Sequence, residues 1–159
     1  MKFFFIVTLL FSTFSYAEEF SLICEGERGF HSFNGKEINV IDFESVLLKI
    51  KNDSMEYIGI NSGRRYIFRN KEYTAPKKPP HEDIKIKELY EITSQNIKAS
   101  QIITDTGNSK DSSITLIDLN IDLLSGKFHE LESISNKNTS KESIRSDFQG
   151  SCKKEDRSY

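Results

Sequence analysis

Cysteine, proline, histidine and net charge are all scarce in this chain: two cysteines, three prolines and three histidines stand in 159 residues, with a formal net charge of −2. A balanced charge with a pI near 6.0 provides no basic field to gather a nucleic acid. The clusters "GRRY" and "CKKEDR" are small and mixed with acids, and read as solvated surface. His31, His81 and His129 are isolated from one another and from both cysteines, and no HxH, HExxH or CxxC spacing occurs. A metal site therefore has no local support. No GxSxG elbow is present and both cysteines are expected in a bridge, which leaves nucleophilic catalysis without a visible nucleophile. The chain reads as a non-enzyme that takes no cofactor. Its three prolines, Pro76, Pro79 and Pro80, fall together in "APKKPPHED". They bar helix and central strand and mark a loop there.

Long hydrophobic runs are missing except at the start. Met1 and Lys2 precede an apolar stretch from Phe3 to Phe14, and Ser15-Tyr16-Ala17 then sets small residues before Glu18. That is the pattern of a secretory signal peptide over residues 1–17. About a dozen apolar residues fall short of the roughly 20 that a spanning helix needs. Cys24 follows Leu22 and Ile23, whereas a lipoprotein signal wants a small residue before its cysteine. The expectation is one domain over 18–159, periplasmic or secreted, with no membrane span after cleavage.

In an oxidising compartment Cys24 and Cys152, near the two ends of the mature chain, are expected to pair. Closing a loop of about 130 residues is worth roughly 5 kcal/mol in the chain-entropy treatment, an upper figure.

What the sequence does have is alternation. Phe20, Leu22 and Cys24 share one face of "EFSLICEG". Ile84, Ile86, Tyr90 and Ile92 share a phase in "DIKIKELYEI", with Glu88 as the exception. Ile97, Ala99 and Ile103 do so in "NIKASQII", and Ile117, Leu119, Ile121 and Leu123 in "ITLIDLNIDL". Period 2 marks half-buried strands. Turn-formers recur between them at Asn34-Gly35, Lys51 to Ser54, Asn61 to Gly63, Thr93 to Asn96, Asp105 to Asp111 and Ser125-Gly126. Ser135 to Ser143 reads as a polar loop. The expected fold is all-β: about eight antiparallel strands in a barrel or bent sandwich, with the terminal strands beside or facing each other and tied by the disulfide.

One stretch invites a metal reading. Asp118, Asn120 and Asp122 fill positions 1, 3 and 5 of a calcium loop, but position 6 is Leu123 rather than glycine and position 12 is His129 rather than glutamate. In a strand those three side chains stand about 7 Å apart along one face, too far to share an ion. No metal is expected.

Two resemblances follow. An early cysteine, then "ELYEITSQNIKAS", "ITLIDLNIDLLSGKF" and "FQGSCKK", resemble a class of small secreted bacterial proteins of unknown function over Leu22 to Lys154. The resemblance implies an all-β fold, with Gly126 in a turn and Gly150 before the bridged cysteine. "SGRRY", Ser62 to Tyr66, resembles the SGxxY motif of periplasmic inhibitors of c-type lysozyme, small β-barrels whose motif serine enters the lysozyme cleft. That resemblance implies an inhibitory loop with Ser62 as the inserted residue, Gly63 beside it and Tyr66 as its structural partner. Gly63 is equally served as a hairpin glycine. The functional expectation is a non-enzymatic binding or structural module whose partner is a protein or a small apolar ligand, the alternative being a lysozyme inhibitor.

Overall fold

The computed structural model describes residues 19–33, 36–75, 84–105, 112–139 and 142–155. The expected signal peptide, the Asn34-Gly35 turn, the three prolines and most of the 105–111 turn lie outside the described residues. Among the described residues ten strands follow one another: β1 Phe20–Phe33, β2 Lys36–Ile50, β3 Ser54–Gly59, β4 Arg65–Arg69, β5 Lys71–Ala75, β6 Ile84–Ile92, β7 Asn96–Asp105, β8 Ser113–Asp122, β9 Lys127–Asn136 and β10 Glu142–Lys154. They form one antiparallel sheet in the order β4-β3-β2-β1-β10-β9-β8-β7-β6-β5, a nearly closed barrel. Every pairing joins sequence neighbours except β1 with β10, where the two ends of the domain meet.

The sheet's two edges, β4 and β5, are consecutive in the chain and separated only by Asn70. Its side-chain amide donates to the Tyr90 carbonyl at 2.9 Å and accepts from the Tyr90 N–H at 2.9 Å. A side chain thus makes the pair of bonds that a neighbouring backbone would make, and the seam is bridged where an open edge would otherwise invite another strand. This seam accounts for one of the strands beyond the about eight expected from the sequence. "RYIFR" and "KEYTA" abut without any turn signal and merge when strands are counted between turns. The expected Ser135 to Ser143 loop is also shorter than its sequence suggests, since β9 runs to Asn136 and Ser143 is already in β10.

Strand alternation sets the interior. On β8, Ile117, Leu119 and Ile121 are buried while Asp118 and Asn120 are exposed. Glu88 keeps the inward phase of β6 and is only 4% exposed. It accepts hydrogen bonds from Tyr73 Oη at 3.1 Å and Gln101 Nε2 at 3.0 Å, so it is a satisfied interior acid rather than a break in the strand.

Cys24 and Cys152 are bonded and stand directly opposite each other on β1 and β10, with Cα atoms 3.9 Å apart. Gly26 and Gly150 form a further cross-strand pair on the same face. A methyl at Gly150 would lie 2.4 Å from the Glu25 carbonyl oxygen, and one at Gly26 would lie 2.1 Å from that of Gln149. Only glycine allows the two strands to run this close.

Candidate functional site

Antiparallel succession places the chain's described ends, the β4–β5 corner and the turns after β2, β6 and β8 at one end of the barrel. The β3–β4 turn and the starts of β2, β6, β8 and β10 lie at the other. The interior divides along the same axis. Near the described ends it is lined by Leu22, Leu48, Ile50, Met55, Ile97, Ile121 and Phe128, all buried. Toward the opposite end the inward positions carry Arg28, Glu44, Glu130, Glu132 and Ser146, also buried.

Arg28, 2% exposed, is the hub of that polar half. Its Nε donates to Glu44 Oε2. Its Nη2 donates to Glu130 Oε1 and Oε2, each at 3.0 Å, and to Tyr57 Oη at 3.0 Å. Its Nη1 reaches Ser146 Oγ at 3.4 Å, and its Cζ lies 5.3 Å from the centre of the Phe148 ring. One guanidinium thereby ties β1 to β2, β3, β9 and β10. Burial disfavours its charge, but Glu130 and Glu44 outweigh burial and hold its pKa above the ordinary arginine value. Burial pushes the Glu130 carboxyl up, against the pull of Arg28. Burial also raises the Tyr57 phenol, and raises Tyr66 to about 12. These groups are turned on one another, an arrangement suited to holding strands in register.

The residues singled out in "SGRRY" form the outer rim of this network. Ser62, at the exposed β3–β4 turn, donates its hydroxyl to Glu44 Oε1 at 2.6 Å. Gly63 has φ of 68° with open space where a Cβ would stand. Arg64 Nη1 donates to Glu132 Oε2 at 2.5 Å. Tyr66 is half-buried, its ring 5.3 Å from that of Tyr57. Gly63→Val is expected to lower stability by about 1–2 kcal/mol, because a branched side chain resists a left-handed backbone. Ser62→Ala should cost about 1 kcal/mol through the lost bond to Glu44. Urea denaturation of both variants checks the pair. A Gly63→Val variant as stable as the parent would mean the turn tolerates a conformation without positive φ.

Other candidates from the sequence are dispersed. Asp118 and Asn120 face solvent, while the Asp122 carboxylate accepts the N–H of Leu124 at 2.9 Å and of Ser125 at 3.1 Å. Those bonds close the β8–β9 turn and hold its pKa below the usual carboxylate value. His31 pairs with Asp147, His129 is exposed, and His81 lies outside the described residues. Sequence reasoning missed Arg28, Glu44 and Glu130. The available signal was a charge in the inward phase: Arg28 continues the Phe20, Leu22, Cys24 face, and Glu130 follows Phe128 by two.

The second feature is a cavity of about 750 Å³ at the end where the described chain begins and stops. Phe20, Leu22, Ile92, Ile121, Leu123 and Cys152 give it apolar walls; Asn52, Thr93, Ser94, Asp122 and Lys154 give it polar edges. Its size lies within the 300–1,000 Å³ typical of small-molecule sites, which barrel mouths commonly provide. A smaller cleft of about 290 Å³ lies at the opposite end, between Arg28, Glu44, Ser62, Arg64 and Phe43.

No protein-family model, curated protein or solved structure matches the chain. Fold and site together define an antiparallel ten-stranded barrel, cross-braced inside at one end and with an apolar cavity at the mouth of the other. Its disulfide is consistent with an oxidising compartment. Among the described residues no helix is long and apolar enough to cross a membrane.

Proposed function

We propose that the protein is a secreted, non-enzymatic binding module, acting in the periplasm or outside the cell, that holds a small apolar molecule in the mouth of its barrel. The observation that supports this reading is the 750 Å³ cavity walled by Phe20, Leu22, Ile92, Ile121 and Leu123. Burying a ligand there removes apolar surface from water on both sides, at about 25 cal/mol per Å². The internal brace around Arg28 lies in the opposite half and leaves the chamber as a preformed pocket, so little ordering cost falls on binding.

The test is saturable binding of the neutral dye N-phenyl-1-naphthylamine, read by its fluorescence. We expect one site per chain, and at least a tenfold loss of affinity in Leu123→Trp, which puts an indole into the chamber from a half-buried turn position. A parent protein that gives no saturable signal, or a Leu123→Trp variant that binds unchanged, sinks the reading.

A second reading rests on the exposure of Ser62 and Gly63 at the β3–β4 turn, the position that an inhibitory loop of a c-type lysozyme inhibitor would need. The Ser62 hydroxyl is already engaged by Glu44, which favours a structural role for it. Lysozyme inhibition by the parent that disappears in Ser62→Ala would make this the better reading; no inhibition is expected.

A further inference from the structure

The charges at the rim of the apolar cavity are not equivalent. Asp122, the one acid on the lining among the described residues, accepts two backbone N–H groups of its own turn. Lys154, the one base on the lining among the described residues, sits with its Nζ 5.9 Å from the centre of the Phe20 ring. Its neighbours are engaged: Lys51 pairs with Glu19 at 2.9 Å and Lys153 with Glu25 at 3.8 Å. Among the described residues Lys154 forms no ion pair. The backbone register Leu22↔Lys154 sets this ammonium beside the first apolar wall residues, so a positive charge with no ion-pair partner among the described residues stands where an apolar chamber meets water, while the Asp122 carboxylate on the same rim is held by its own turn.

We propose that the cavity takes a single-tailed anionic amphiphile, a long-chain carboxylate, with its tail between Phe20, Ile92 and Ile121 and its head against Lys154. This rests on the binding reading above and adds the polarity and the direction of entry. A tail held among apolar walls gains with length: about 0.8 kcal/mol per methylene, or roughly three- to fourfold in affinity for each. The head contact is exposed and therefore modest, roughly two- to fivefold at low salt.

The experiment is competition against N-phenyl-1-naphthylamine on the purified full protein, using laurate, dodecanol and dodecyltrimethylammonium. Lys154→Ala should weaken laurate about two- to fivefold and leave dodecanol unchanged. Lys154→Glu should weaken laurate further and strengthen dodecyltrimethylammonium. Affinity should climb from octanoate to laurate, and the laurate advantage over the variants should shrink in 0.5 M salt. Lys154 is exposed, so both variants should fold, and unchanged dye binding verifies it. If the dye binds but laurate is insensitive to both substitutions, the head-group assignment is wrong while the apolar-cavity reading survives. If the dye itself does not bind, that reading fails first.

Discussion

Replacing Arg28 with alanine is expected to lower the stability of the barrel by about 3–5 kcal/mol, the cost of leaving a buried ion pair without one partner. Against the roughly 5–15 kcal/mol that holds a typical domain together, this is a large fraction. The guanidinium faces two carboxylates, Glu44 and Glu130, and the latter is 0% exposed. Without it both acids must either stay charged in the interior or take up protons. The loss should therefore be greatest at neutral pH and shrink as the pH is lowered, because neutral carboxyls have no charge to desolvate. Arg28→Lys should recover little, since one ammonium cannot span the two glutamates, Tyr57 and Ser146 as the planar fork does. A variant with Met at 28 and Leu at both 44 and 130 should recover most of the loss. In the parent protein the Glu130 pKa is raised by burial. The folded state then holds a proton that the unfolded chain releases, so stability falls as pH rises from the ordinary carboxylate value to the raised one. Glu130→Gln should remove that slope. Urea denaturation at several pH values measures all of this. An Arg28→Ala midpoint equal to the parent's at pH 7 would show that the network does not brace the barrel.

The same residues show how far the sequence could be read. β8 was legible because "IDLNI" alternates from Ile117 to Ile121, and there Ile117, Leu119 and Ile121 are buried while Asp118 and Asn120 are exposed. The turns at Lys51–Ser54, Thr93–Asn96 and Ser125-Gly126 were legible for a local reason: polar residues and glycine close a reversal by themselves, and Gly126 has the positive φ of 71° that such a turn uses. That β1 and β10 lie close together followed from the two cysteines and little else, and whether they would pair or face each other across the core was not legible; they pair. The β4–β5 seam was not legible, because the device that bridges it is a single asparagine whose partner lies twenty residues away in sequence.

Sites were harder, and for one reason. A charge in the inward phase of a strand looks like noise until its partner is known, and the partners of Arg28 lie 16 and 102 residues off. Glu88 was visible as an exception and turned out to be an interior acid with two donors. The cavity had no sequence signature at all. It is made from the starts, ends and turns of β1, β2, β6, β8 and β10, which only barrel closure brings around one opening. "SGRRY", by contrast, was conspicuous as a motif, and its serine bonds to Glu44, which Arg28 also holds, while Arg64 bonds to Glu132 and Arg65 to Glu56.

Removing the disulfide by Cys24→Ala with Cys152→Ala is expected to cost about 2–5 kcal/mol. The bridge spans a sequence separation of 128, nearly the whole domain, so its main effect is on the unfolded chain, which without it gains the freedom of two loose ends. The folded state should change little. β1 and β10 remain paired from Leu22↔Lys154 to Phe33↔Ile144, and the glycine pair at 26 and 150 still permits their close approach. The far-UV circular dichroism of the double variant should therefore match the parent's, while its melting temperature falls by roughly 10 °C or more. The urea dependence of its unfolding free energy should steepen, because the uncrosslinked chain exposes more surface when it unfolds. A double variant within 1 kcal/mol of the parent would mean that strand pairing and the Arg28 brace hold the ends unaided, and would leave the bridge without a role in stability.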